Sequence, residues 1–140
     1  PSELTQAVMR GENPLVINSI EDYDRLLAFV TYKPPYIPSA AKRYMAKQAL
    51  ENKAFNHGIF LQLISDKRSA LEPLLPTIKT PTLVLWGDTD RLLDVSMTEV
   101  YSRLLPNNEV VIMPQTGHAP MVEHPSESSE IYRRFVGQHL

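Results

Sequence analysis

The chain has 140 residues, 43% of them hydrophobic and 21% charged, with a formal net charge of −2 at pH 7. That balance fits a globular domain, or part of a larger one; it excludes a disordered chain and a broad basic surface for nucleic acid or anionic lipid. There are no cysteines, so disulfides, zinc–thiolate sites and a cysteine nucleophile are excluded as well.

No apolar run approaches the ~20 residues of a membrane span, and the stretch from Pro1 to Arg10 lacks the apolar core of a signal peptide. The sequence enters a helix-like pattern at once with no initiator Met. Its start therefore reads as a cut end, and neither targeting nor localisation follows from it. Residues 1 to about 78 read as helical throughout. Ser19 can cap a helix through Glu21, Tyr23, Leu26, Leu27 and Val30, with Asp22 at the capping-box position. Tyr32-Lys33-Pro34-Pro35-Tyr36-Ile37-Pro38 is a proline-broken connector of apolar and aromatic residues. Ser39 can cap the next helix, through Tyr44, Met45 and Leu50 to about Lys53. A further helical stretch surrounds Phe60, Leu61 and Ile64, and Leu71 to Ile78 is a proline-interrupted turn.

The period changes from Thr80 onward. Pro81-Thr82-Leu83-Val84-Leu85-Trp86 is a nearly continuous apolar run, the pattern of a strand buried on both faces, and Gly87 ends it. A helical pattern runs from Val95 to Leu105, and Glu109-Val110-Val111-Ile112-Met113 is a second strand of the same kind. A loop at Pro114 to Pro120 leads into a last helix, from about Ser126 to His139. Strand, helix, strand, helix predicts a parallel α/β arrangement.

Two loops carry candidate chemistry. Trp86-Gly87-Asp88-Thr89-Asp90-Arg91 follows the first strand, and Gln115-Thr116-Gly117-His118-Ala119-Pro120 follows the second. Sites in open parallel sheets form at the carboxyl ends of strands, so each loop brings one titratable group to the same edge. A carboxylate that accepts from a histidine ring N–H fixes the tautomer and stabilises the imidazolium formed in catalysis. Asp90 and His118 are therefore the predicted catalytic pair; taken singly, Asp90 reads equally as a turn or cap residue, and a lone histidine in a Gly-His loop reads as a structural one, but the two loops together favour the pair. Asp88 reads as a turn residue and Asp94 as a helix cap. His57 and His139 read as surface residues, and His124, before Pro125, as a turn residue. His118, Glu123 and His124 lack the i, i+4 spacing of helical metal ligands, and no metal is expected there.

The segment PTLVLWGDTDRLLDV, followed by LLPNNEVVIMPQTGHAPMVEHP, resembles the C-terminal motifs of α/β-hydrolases. In that pattern the acid stands three residues after the strand-ending glycine, at Asp90, and the histidine follows the glycine of the second loop, at His118. The stretches NPLVINSIEDYDRLLAFVTYKPPYIPSAAKRYMA and FLQLISDKRSALEPLLPTIKTPTLVLWGDTDRLLDV resemble the helical cap of the monoacylglycerol-lipase-like and bacterial lipase branch. The resemblance implies an α/β fold with a cap over residues 1–78, followed by the last two parallel strands of the hydrolase core and their helices over residues 79–140. The family's Gly-x-Ser-x-Gly elbow is missing: none of the ten serines has glycine at both −2 and +2. The oxyanion-hole His-Gly stretch is missing too. The chain thus reads as beginning after the sixth strand, with the nucleophile on an N-terminal half.

The resemblance implies a serine hydrolase of carboxylic esters, with an ester or lipid-like small molecule as substrate and no cofactor. The absent serine attacks the acyl carbonyl, His118 takes its proton and passes it to the leaving alcohol, and Asp90 orients His118. The cap forms the acyl pocket, with Phe29, Tyr32, Tyr36 and Ile37 as candidate substrate-binding residues. Each could equally pack the cap's own small core. Epoxide hydrolases, haloalkane dehalogenases and carbon–carbon-bond hydrolases share the two loops and remain alternatives, as does a non-catalytic helical binding module. The expected macromolecular partner is the missing N-terminal half, or a second copy joined through an open sheet edge. The 140 residues alone are expected to be inactive.

Overall fold

A computed structural model describes residues 1–64 and 70–139; residues 65–69, which fall in the predicted helical region, and Leu140 lie outside the described residues. Helices α1 (Glu3–Met9), α2 (Asp22–Val30), α3 (Ser39–Glu51) and α4 (Lys53–Leu63) come first, and a 3-10 turn at Leu75–Thr77 leads into strand β1 (Thr82–Gly87). Helix α5 (Met97–Leu104), strand β2 (Asn108–Met113), the one-turn helix α6 (Pro120–Glu123) and helix α7 (Pro125–His139) complete the chain.

The predicted capping box is present. Asp22 N–H donates to Ser19 Oγ at 3.3 Å and Ser19 N–H donates to Asp22 Oδ2 at 3.2 Å, so two otherwise orphaned donors satisfy each other's side chains at the start of α2. Tyr23, Leu26, Leu27 and Val30 share one face of α2 by their spacing. Tyr23 is buried with Ile17 and Ala46 of α3, and Leu26, Leu27, Ala49 and Leu50 pack against them. The helix stops at Thr31, which turns to extended backbone while its N–H and hydroxyl both donate to Leu27 O.

Two boundaries differ from expectation. Ser39 makes no side-chain cap bond: Pro38 occupies the cap position, and its carbonyl accepts from Lys42 N–H at 2.9 Å. The predicted end near Lys53 is instead a break at Asn52. Its N–H and side-chain amide both donate to Gln48 O, and its own carbonyl accepts from Asn56 N–H to start α4.

Strands β1 and β2 pair in parallel, from Thr82 opposite Asn108 to Gly87 opposite Met113. Leu75, Val84 and Leu105 are buried together, with Trp86, Val100, Tyr101, Leu104 and Val110 packed on them. Side chains alternate across a strand, so Val84, Trp86 and Val110 face α5. Met113 points the other way, where it is buried against Ser128 of α7. The strands are less buried than their apolar run predicts: among their residues only Val84, Gly87 and Met113 are buried, and Ile112 is 46% exposed. Each strand has a single neighbour among the described residues, so each keeps one edge unpaired and the sheet is too narrow to shield its apolar side chains. The Trp86 indole N–H is buried with no hydrogen-bond partner among the described residues.

Gly87 ends β1 because no larger residue fits. A Cβ there would lie 2.1 Å from Gly117 O and 2.2 Å from Thr116 O. Gly87→Ala should therefore push the two loops apart and cost about 3 kcal/mol, the upper range for overpacking. Urea denaturation of the two forms measures it, and an equal midpoint would show that the close approach is not maintained in solution.

Candidate active site

Both candidate loops leave the carboxyl ends of the two strands, and hydrogen bonds tie them together without the side chain of Asp90 or His118. Asp88 N–H donates to Met113 O at 3.0 Å, and Thr89 donates to Thr116 O through both its N–H (3.0 Å) and its hydroxyl (2.8 Å). In return Thr116 N–H donates to Asp88 Oδ1 at 3.3 Å. Thr116 is fully buried, and its hydroxyl donates to Pro114 O at 2.9 Å.

On this base Asp90 and His118 meet. Asp90 Oδ1 accepts from Leu92 N–H at 2.8 Å and Leu93 N–H at 3.1 Å, which makes Asp90 the residue that shapes its own turn. Asp90 Oδ2 lies 2.9 Å from His118 Nδ1. A carboxylate can only accept, so Nδ1 carries the hydrogen and Nε2 is left free. The Asp90 side chain is 4% exposed and that of His118 39%: the acid is enclosed, and the ring keeps one side open.

Burial pushes the Asp90 carboxyl up, but the hydrogen bond from His118, the Leu93 and Leu92 N–H groups and the charge of the ring outweigh it and hold the group below its ordinary 3.8. The bond to Asp90 raises His118 above its ordinary 6.5, burial opposes this, and the carboxylate's charge adds to the rise. The pair stabilises the fold fully only where both groups are charged. Its contribution is lost in acid as Asp90 protonates through its lowered pKa, and in base as His118 deprotonates through its raised one.

The helical region reaches this site directly. His118 N–H donates to Val30 O at 2.8 Å. A Cβ on Gly117 would lie 2.7 Å from Val30 O and 2.8 Å from Tyr32 N, so the histidine loop lies backbone to backbone against the residues that follow α2. Arg91 joins the acid loop to α1: its carbonyl accepts from Leu4 N–H at 2.9 Å and its Nε lies 3.6 Å from Glu3.

The other sequence candidates fall as follows. Asp94 accepts from Ser96 N–H at 3.0 Å just ahead of α5, and Asp88 joins the two loops. His57 and His139 are exposed; His124 Nε2 lies 3.4 Å from Gln115 O. No cluster of three or more potential metal ligands occurs among the described residues. Phe29 and Ile37 are half-buried, whereas Tyr32 is 50% and Tyr36 91% exposed. None of these four lines the apolar cavity of about 340 Å³ in the helical region, which is bounded by Leu15, Val16, Leu26, Ile59 and Phe60 among others. Sequence reasoning missed Thr116 and the role of Glu123, which accepts from Gly117 N–H at 2.8 Å. A loop threonine and a glutamate in a one-turn helix carry no local signal, because their partners come from other segments.

Known proteins are similar to this chain in sequence and fold. Residues 16–125, a stretch that holds both strands and both loops, match the family described as the alpha/beta hydrolase fold. Lipase 3 of Moraxella sp. (strain TA144) is 36% identical over 135 residues, 96% of this chain and 42% of that protein. Monoacylglycerol lipase ABHD6 of Rattus norvegicus is 24% identical over 135 residues, 96% of this chain and 40% of its own length. The crystal structure of a membrane phospholipase A, a bacterial virulence factor, matches with a TM-score of 0.93 at 48% identity, over 99% of this chain and 44% of that one. The chain thus spans less than half the length of these relatives, which are lipase-like hydrolases. With a parallel strand pair, an acid loop and a histidine loop inside the matched residues, the chain belongs to the α/β hydrolase fold family.

Proposed function

We propose that this chain supplies the acid and the general base of a serine hydrolase acting on carboxylic esters of lipid-like substrates, monoacylglycerols among them. The 2.9 Å pairing of the enclosed Asp90 carboxylate with His118 Nδ1 carries this reading, because it leaves Nε2 free to take a proton. The nucleophile is a serine outside these 140 residues, since no serine here stands in a Gly-x-Ser-x-Gly elbow. The serine attacks the acyl carbonyl, His118 Nε2 receives its proton and then delivers it to the leaving alcohol, and Asp90 holds the ring and balances the imidazolium. Residues 1–78 act as a cap and residues 79–140 as the part of the core that bears the two loops. The lipase names of the relatives support an ester substrate.

In a full-length protein that contains this chain, His118→Ala should abolish ester hydrolysis. Asp90→Asn should reduce kcat by ~10⁴, on the serine-protease precedent, while Asp88→Asn and Asp94→Asn should cost far less. An inactive Asp94→Asn beside an unimpaired Asp90→Asn would show that the acid is misassigned.

Phe29, Tyr32, Tyr36 and Ile37 contact the acyl chain in this reading. The connector that holds Tyr32, Tyr36 and Ile37 departs from the backbone pair that fixes His118, and Tyr36 is free of the fold at 91% exposure. Each CH₂ withdrawn from water contributes about 0.8 kcal/mol. Tyr36→Ser or Ile37→Ser should therefore lower kcat/KM for long-chain esters several-fold more than for acetates. Equal losses on both would assign these residues to the fold alone.

His118 must be neutral to accept a proton, and Asp90 holds its pKa up. The rate should accordingly rise with pH through an inflection above the ordinary imidazole value of about 6.5. In Asp90→Asn the residual activity should show that inflection displaced to lower pH. A pH–rate profile of both forms decides it, and an inflection that Asp90→Asn leaves in place would refute the coupling.

A further inference from the structure

We propose that Glu123 is a positioning residue that locks the histidine loop to the connector after α2, so that the seat of the helical region sets the aim of His118. The proposal rests on the reading of His118 as the proton-transfer group, and it adds a residue that acts on substrate only through that histidine.

Glu123 closes α6, and its two carboxylate oxygens serve different segments. Oε1 accepts from Gly117 N–H at 2.8 Å, next to His118 in the chain. Oε2 accepts from Tyr32 N–H at 2.7 Å and Lys33 N–H at 3.2 Å. One side chain thus satisfies three backbone donors drawn from both sides of a single seam. His118 N–H closes the same seam onto Val30 O at 2.8 Å, and Gly117 leaves no room between the segments, since its Cβ would lie 2.7 Å from Val30 O. The connector cannot shift without moving His118 or breaking these contacts. Such a displacement matters because proton transfer falls steeply with misalignment on the scale of an ångström.

The chemistry asks for a carboxylate. Both of its oxygens accept and neither carries a hydrogen. An amide of the same size would turn an NH₂ group toward backbone N–H groups on one side of the seam. Glu123→Gln therefore releases one segment while leaving the bulk in place. Gly117→Ala attacks the seam from the opposite side by wedging it open, with the Glu123 carboxylate intact.

The test pairs hydrogen exchange with ester kinetics on a full-length protein that contains this chain. In Glu123→Gln, amide exchange should rise about tenfold or more in the peptides over residues 30–33 and 116–118, and stay unchanged in α5. In the same variant kcat should fall about 10- to 100-fold, with KM changed less than about threefold. Gly117→Ala should reproduce both effects, and Glu127→Gln, an exposed change in α7, neither. If Glu123→Gln does not fold, Glu123→Asp, which keeps the charge and shortens the reach, carries the same two readouts. Loosened exchange with unchanged kcat, or a rise in KM alone, would overturn the positioning role. Unchanged exchange on the connector side would overturn the lock itself. A wild-type protein without ester hydrolysis would instead refute the hydrolase reading, and the exchange result would still decide whether Glu123 joins the two segments.

Discussion

Three stretches of backbone lie against one another at Gly87 and Gly117, with no side chain between them. The end of β1 meets the histidine loop at Gly87, and the histidine loop meets the connector after α2 at Gly117. The separation of Asp90 from His118 is therefore fixed by main-chain contact. Side chains can change rotamer, whereas a backbone in contact on both sides can move only with its neighbours. Thr116, between the two glycines and fully buried, shows how tight the middle layer is: its carbonyl takes two bonds from Thr89, and its N–H and hydroxyl are both committed.

Such a stack has a polar consequence. Backbone donors and acceptors withdrawn from water need partners, and here the chain is leaving β1, β2 and α2 and has no regular ladder to supply them. Side-chain carboxylates take up much of that demand. Asp88 accepts from Thr116, Glu123 from Gly117, Tyr32 and Lys33, and Asp90 from Leu92 and Leu93. The acidic residues around the histidine are thus first of all the hydrogen-bond partners of irregular backbone. His118, Glu123 and His124 lie close in sequence without the spacing of metal ligands, and both Glu123 oxygens are already engaged with backbone N–H groups.

This difference explains what could be read in the sequence and what could not. The β1–α5–β2 order, the two loops and the Asp90–His118 pairing follow from local patterns: an apolar run ended by Gly87, an aspartate three residues on, and a histidine after Gly117. The capping box at Ser19 and Asp22 is local too. Glu123 and Thr116 depend on partners far away in sequence, and nothing in MVEHP or PQTGH announces them. The strands are a different case. Their apolar runs specify burial on both faces, but burial is a property of neighbours, and Ile112 stays 46% exposed among the described residues. The helical region is legible as helices, because capping and three–four spacing are local, and opaque as a surface. Tyr36 and Ile37 read alike in the connector, yet one is 91% exposed and the other half-buried.

Asp90 shows why a structural and a catalytic account of one residue need not compete. Oδ1 holds the turn through two backbone N–H groups, and Oδ2 holds the imidazole. The turn holds the carboxylate through bonds that do not involve the histidine, so the ring faces an acceptor fixed by its own loop. An asparagine could keep the turn with its amide oxygen, but would then face His118 with an NH₂ group and favour the other tautomer. The electrostatics divide in the same way. The ion pair stabilises the fold most between the ordinary carboxyl value of 3.8 and the ordinary imidazole value of 6.5, where both partners are charged. A general base must be neutral, so catalysis of the proposed kind runs above that range, where the pair has given up part of its contribution to stability. The backbone stack at Gly87 and Gly117 carries no charge and does not titrate. It keeps the loops together as His118 loses its proton, so the pH-dependent pairing can loosen without the loops parting, as the proposed acid–base role of the pair requires.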